Sequence, residues 1–244
     1  MAVINSKIDI LINSSNVNPN KLFNVHLTVF LPYTVKDLFD VNLIADVGSL
    51  DIYKIPNLLG NVFVDITTGS VILEQVDVDV IDVSTKSGNL NVLDVEVLDS
   101  LACHSISGSI VVDVSFPSEK SDIQSPRHMN ISTDSGSLKG HVDYYQSLTA
   151  TSHTGLIDLI LTSFSNSTAT TTTDIGNIYL DMFEFSGYYD VESVLGTVKV
   201  DKSKYRKGKS KKYTTSAHAK GTIGSGSSRL YAKSNVGKAV VHFE

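Results

Sequence analysis

The 244-residue chain has one cysteine, Cys103, no tryptophan, three methionines and five prolines. A single thiol can form neither an internal disulfide, nor a CxxC redox pair, nor a thiolate metal cage. Its apolar runs are too short for any segment to span a bilayer as a helix. HExxH, CxxC, GxSxG, P-loop and GxGxxG motifs are all missing. "GTIGSG" at 221–226 has the wrong order for a dinucleotide loop and lacks a strand-to-helix context. Neither cofactor nor metal is therefore expected. Basic residues are scarce over most of the chain. Residues 1–198 hold 8 Lys/Arg against 24 Asp/Glu, whereas residues 199–244 hold 12 against 2. An acidic body thus precedes a basic C-terminal end.

What is abundant is serine and threonine, 51 residues in all, together with valine, aspartate and asparagine. That composition favours strands and turns over helices. A hydrophobic content of 41% and a charged content of 19% suit a globular protein. Met1 is followed by "AVINSKIDILINSS", which has one lysine, an internal aspartate and no long apolar core. No signal peptide is read there, and an intracellular location is expected over a secreted one. The Asn-x-Ser/Thr sequons at Asn13, Asn130 and Asn166 are about as many as this composition yields by chance.

A phrase recurs along the chain: "DITTGSVIL" at 65–73 and "DVSTKSGNLNV" at 82–92 are two copies of it. Alignment on its glycine gives Gly48, Gly69, Gly88, Gly108, Gly136, Gly155, Gly176, Gly196 and Gly237. Spacings stay near twenty except for two longer gaps, which read as inserted loops at 115–128 and 201–228. Two residues after the glycine, all nine positions are apolar, from Leu50 and Val71 through to Val198 and Ala239. Four residues after it, only Gly140 breaks an apolar column. Five before stand Leu43, Val64, Val83, Cys103, Ile131, Ala150, Thr171, Val191 and Ala232. Three before, the residue is nearly always small or hydroxylated, as in Thr85, Ser105, Thr133 and Ser152.

Alternation with period two on both sides of a glycine predicts two short strands per repeat, joined at a turn. Twenty residues is too short for a propeller blade, and no helical period is present. The expected architecture is all-β: a single-domain parallel β-solenoid (β-helix) of about nine rungs over 41–244, coiling right-handed. Residues 1–40 form an N-terminal cap or arm and a lead-in strand, "VHLTVFLPYT" at 25–34. Nine rungs at ~4.8 Å make a rod of about 43 Å. The Ser/Thr column is expected to form a hydroxyl ladder near the turn. The strand "GKAVVHFE" is expected to be a bare C-terminal edge or one covered by the basic loop.

The segments "ITTGSVIL", "STKSGNLNV", "SISGSIVV" and "STDSGSLKG" resemble the adhesin-like β-solenoid domains of bacteria and fungi. The resemblance covers roughly residues 25–244, and its motif specifies fold far more than function. It implies no catalytic residues. One fungal protein of this type packs into vacuolar crystals, so the resemblance also implies self-assembly and a vacuolar setting.

Among candidate residues, Cys103 falls in the inward column, with an outward, disulfide-forming orientation as the alternative. Asp77, Asp79 and Asp82 share a strand region and read as a solvated outer face. Polysaccharide-active β-helix enzymes use such carboxylates for acid–base chemistry or with Ca²⁺. His104 and His153 sit at different offsets from their glycines, so they are not expected to share a metal. The basic stretch carries Lys202, Lys204, Tyr205, Arg206, Lys207, Lys209, Lys211 and Lys212. It suits the acidic body of another copy better than nucleic acid or an anionic lipid surface. The expected function is non-enzymatic: a structural protein that self-assembles into an array or crystal through charge-complementary, strand-end contacts. The alternatives are an adhesin-like glycan- or protein-binding module and a polysaccharide-active enzyme.

Overall fold

The computed structural model describes residues 6–11, 39–117, 127–201 and 217–244, with backbone alone for 6–11, 39 and 54–59. These residues form thirteen β-strands and no helix, so the all-β class expected from composition and periodicity holds. In chain order the strands are β1 Ser6–Leu11, β2 Phe39–Val47, β3 Leu50–Thr68, β4 Val71–Ser87 and β5 Leu90–Ser107. Then come β6 Ile110–Ser115, β7 His128–Ser135, β8 Leu138–Thr154, β9 Ile157–Ile175 and β10 Ile178–Phe183. β11 Gly187–Asp201, β12 His218–Ile223 and β13 Ser228–Phe243 complete the set. All belong to one sheet, and every pairing is parallel except β11 with β12. The expected lead-in at 25–34 lies outside the described residues; the outermost described strand at that end is β1, paired with β2 from Ser6↔Phe39 to Leu11↔Ile44.

Equivalent positions of the repeat stand opposite one another. Leu43, Val64, Val83, Cys103, Ile131, Ala150 and Thr171 form one file through successive pairings. Leu50, Val71, Leu90, Ile110, Leu138, Ile157 and Ile178 form a second. Val71 to Ile178 in that second file are fully buried, as are Val83, Ile131 and Ala150 in the first. No single repeat can enclose its own apolar face, so stability comes from stacking. Each fully buried Val, Leu or Ile stabilises by roughly 1.5–3 kcal/mol.

The glycine column has a steric cause. A Cβ on Gly69 would lie 1.4 Å from the carbonyl oxygen of Gly48, and one on Gly88 would lie 1.8 Å from that of Gly69. Only a residue without a Cβ lets the next strand approach so closely at the turn. From Gly69 onward the glycine carbonyl is then met by the hydroxyl three residues before the neighbouring glycine, whereas opposite Gly48 that position is Ile66. Ser105 Oγ donates to Gly88 O at 3.1 Å, Thr133 Oγ1 to Gly108 O at 3.0 Å, and Ser152 Oγ to Gly136 O at 3.2 Å. The expected ladder is therefore present, with the turn carbonyl as acceptor. A second bend follows the glycine. Gln75 and Asp94 take left-handed φ values of 55° and 53° there, and the register shifts nearby.

The two long gaps behave differently from one another. At 115–128 the chain leaves after β6 and returns at β7, so β6 and β7 together lie where β5 and β8 run unbroken. β5 pairs with both, and so does β8. Residues 118–126 lie outside the described residues, while Phe116 and Arg127 at the edges of the gap are buried. The C-terminal gap overturns two expectations. Residues 201–228 are not loop throughout, because β12 (218–223) pairs antiparallel with β11, Gly187↔Ile223 to Glu192↔His218. Nor is "GKAVVHFE" an edge. β13 inserts between β9/β10 and β11, with Ile178↔Ala239 on one side and Ala239↔Val198 on the other. The glycine order is thus Gly176, Gly237, Gly196. Ser234 Oγ donates to Gly176 O at 2.9 Å and Ser193 Oγ to Gly237 O at 2.7 Å. The physical reason is burial on both flanks. Leu230, Ala232, Ala239, Val241 and Phe243 of β13 are all enclosed, and the Phe243 ring lies 5.2 Å from both Phe185 and Tyr189.

Candidate functional site

Sheet order gathers acidic strands at the β1 end and strands of mixed charge at the β12 end. Residues 39–117, at the β1 end, carry twelve aspartates and glutamates against two lysines. Residues 187–201 and 217–244, which form the three strands at the β12 end, carry Lys199, Lys220, Arg229, Lys233 and Lys238 against Asp190, Glu192, Asp201 and Glu244, so that end is close to neutral. Across the strands at that end, Lys233 Nζ lies 3.5 Å from Glu192 Oε2, and His218 Nε2 lies 2.6 Å from Asp190 Oδ1. Lys202, Lys204, Tyr205, Arg206, Lys207, Lys209, Lys211 and Lys212 lie outside the described residues, between β11 and β12.

The three aspartates singled out by sequence part company. Asp77 and Asp82 are exposed, whereas Asp79 is half-buried. Burial raises the Asp79 carboxyl above its ordinary range, and the negative charges of Asp99 and Asp40 raise it further. Asp40 in turn accepts from Asn61 N at 2.7 Å and Asn61 Nδ2 at 2.9 Å. A raised carboxyl lies nearer to the range in which a general acid works. Among the described residues no group of three or more His, Cys, Asp or Glu could hold a metal ion.

The histidines take separate local partners. His104 Nδ1 meets Ser132 Oγ at 2.8 Å, and His153 Nδ1 meets Asp174 Oδ2 at 2.6 Å. Cys103 is buried and free, between Val83 and Ile131 in its file. Burial pushes its thiol up to about 12, with the Asp82 charge adding to the shift. Such a thiol is a weak nucleophile at neutral pH.

Beside these, β5, β7 and β8 frame a shallow depression of about 320 Å³, lined by Ser100, Ala102, His128, Asn130, Ser147 and Thr149 among others. Ala102 and Asn130, both in its lining, stand opposite one another. The polar rows continue onto β9, where Ser147↔Thr168, Thr149↔Thr170 and Thr151↔Thr172 stand in register. The result is a flat field of hydroxyls that can donate and accept hydrogen bonds.

The sequence points to strand ends as contact surfaces, but not to the strands that form them. β12 covers only residues 187–192 of β11, so no described strand pairs with the outer edge of Leu195–Asp201. β1 covers only residues 39–44 of β2, so no described strand pairs with the outer edge of Val47–Tyr53. Exposed large apolar side chains gather at these ends: Val47 at 76% exposure near one, and Leu195 at 67%, Ile175 at 53% and Val194 at 51% near the other. A signal for them was present in the sequence. The residue before the glycine is Ser or Thr in the middle repeats and aliphatic at Val47, Ile175, Leu195 and Val236.

Among the described residues no helix is long and apolar enough to cross a membrane. No family model, curated protein or solved structure matches the chain.

Proposed function

We propose that the chain is a parallel β-solenoid of about nine coils that serves as a non-enzymatic structural block, self-assembling into a higher-order array inside the cell or its vacuole. The observation that carries this reading is the charge division of the chain: strands with twelve acidic residues against two lysines over 39–117, and an excess of basic residues over 199–244. The acidic strands of one copy attract the basic stretch of another. Such heterologous contacts build open arrays rather than closed rings. The lysines of 202–212 supply most of the basic excess of 199–244. Light scattering across a salt series tests it. Large species at low salt are expected to disperse as ionic strength rises, and neutralising Lys202, Lys204, Lys207, Lys209, Lys211 and Lys212 together should abolish them. A protein that stays monomeric at low salt and high concentration refutes the reading.

A second reading is an adhesin-like module that binds glycans or a partner surface. The hydroxyl field of β8 and β9 beside the depression at Ala102 favours it, as does the resemblance to adhesin-like domains. Specific, salt-resistant binding on a glycan array would move the assignment there. The raised carboxyl of Asp79 is the only support for a polysaccharide-active enzyme, and hydrolysis of a polysaccharide panel decides that case.

A further inference from the structure

We propose that the uncharged outer face of β5, β7, β8 and β9 binds an unbranched, neutral glycan whose sugar rings step from strand to strand. The inference goes beyond self-assembly, which relies on charge and not on this face. It rests on the glycan-binding reading and names its residues and its ligand.

Register lays the face out. Ala102, Asn130, Thr149 and Thr170 stand opposite one another on the four strands. Two residues to either side, further rows run from Ser100 to Thr168 and from His104 to Thr172. Residues between the rows, such as Leu101, Cys103, Leu148 and Ala150, are buried, so the rows themselves face outward. Apart from His104 and His128, each of the twelve positions is Ser, Thr, Asn or Ala. Charge returns at the borders, with Asp82 of β4 opposite Ala102 and Arg229 of β13 opposite Thr168.

These side chains spend little on the fold itself. His104 Nδ1 and Ser132 Oγ meet at 2.8 Å; among the described residues, no other side chain of the field makes a hydrogen bond or ion pair. Its hydroxyls are therefore available to a ligand, each able to donate and to accept. Sugar hydroxyls do both as well, so a contact can be made from either side.

Size and charge decide what covers the face. Four strands at ~4.8 Å and three rows at ~6.6 Å span about 14 Å by about 13 Å. That falls far short of the ~800 Å² per partner of a stable protein contact, so a second copy does not settle on this face alone. Without lysine or arginine the field offers nothing to a nucleic acid or an anionic lipid, and without carboxylates it offers nothing to a basic segment. A neutral, hydroxylated chain fits both limits. The depression of about 320 Å³, which Ala102, Asn130 and Thr149 help to line, has room for a sugar ring. Tyr231 of β13, opposite Thr170, brings an aromatic ring to the border, where the apolar face of a further sugar can stack.

Retention on insoluble cellulose, chitin and β-1,3-glucan tests this. Wild type should be held by at least one of them, equally at low and high salt, because the contact carries no charge. Thr149→Arg/Thr170→Arg sets two long charged side chains on the field and should bind roughly tenfold more weakly or worse. Thr149→Val/Thr170→Val keeps the shape, removes two hydroxyls and should weaken binding about tenfold. Asp158→Arg, on the other outer face of β9, should bind as wild type. Melting followed by circular dichroism checks each fold, and the valine variant decides if the arginine variant does not fold. A wild type held by none of the three overturns this inference and the glycan reading together. A folded arginine variant that binds like wild type overturns the field and leaves the glycan reading standing, and so does retention that salt abolishes. If wild type binds no glycan and the arginine variant loses assembly, a second copy covers the face and the inference falls.

Discussion

The strands from 62 to 175 and those from 178 to 243 obey the same column chemistry yet stack by different rules. In the first region each strand lies against the repeat that follows it in the chain, Val64 on Val83 and Val83 on Cys103. In the second the last strand enters ahead of an earlier one, and Ala232 lies between Thr171 and Val191. The lesson is that a parallel ladder reads stereochemistry and not chain order. A strand with a glycine, a hydroxyl three residues before it and small or aliphatic inner residues fits wherever a matching edge is open.

The sharpest way to break this comparison is a cross-link. Thr172 pairs with Lys233, and Lys233 with Glu192, so Thr172 and Glu192 are two strands apart. Oxidising Thr172→Cys/Lys233→Cys should give a disulfide, and Thr172→Cys/Glu192→Cys should not, since the latter spans about two strand spacings of ~4.8 Å. Mass spectrometry reads the result, and the reverse pattern would restore chain order. Next in size is the turn. Gly88→Ala, where the new Cβ meets backbone at 1.8 Å, should cost at least ~3 kcal/mol in denaturant unfolding. Gly48→Ala, whose nearest neighbour is 4.0 Å away, should stay within ~0.5 kcal/mol. The comparison sharpens if Gly237→Ala, which would strike Gly176 O at 1.9 Å, behaves like the former.

Smaller effects probe the hydroxyls. Ser105→Ala removes the bond to Gly88 O and should destabilise by about 1 kcal/mol. Thr171, by contrast, is fully buried in the inner file between Ala150 and Ala232, and its Oγ1 has no hydrogen-bond partner. Thr171→Val should therefore stabilise by about 1 kcal/mol, a gain the same change at Thr133 would not give.

The smallest effect is electrostatic. Because Asp79 is raised above 3.8 in the folded protein, the folded state holds that proton more tightly than the unfolded one. Its contribution is complete below that ordinary value and is lost as pH rises through the raised one. Asp79→Asn should thus raise Tm slightly at neutral pH and leave it unchanged near pH ~3, by differential scanning calorimetry.

How far the sequence disclosed this follows from the same physics. The files were legible because each position accepts few side chains: no Cβ at the turn, a hydroxyl to meet its carbonyl, an aliphatic residue inward. Chain order was not legible, because Val198 and Ala239 satisfy one column equally well and a spacing of 41 residues looks like an insertion. β12 was hidden for another reason. "HAKGTI" pairs antiparallel and so carries none of the repeat's marks. The exposed Val47 and Leu195 went unread because exposure at an end depends on which neighbour is missing, a property of the stack and not of any window of residues.

The inserted position of β13 bears on how the protein is made. A ribosome delivers earlier strands before later ones, and the strands up to Ile175 can settle on one another as they emerge. Gly176, however, waits for Gly237, sixty-one residues later, before its turn N–H and carbonyl find the partners they have in the finished molecule. Until then β11 has nothing beneath it, so the last quarter of the fold closes only after β13 has been made.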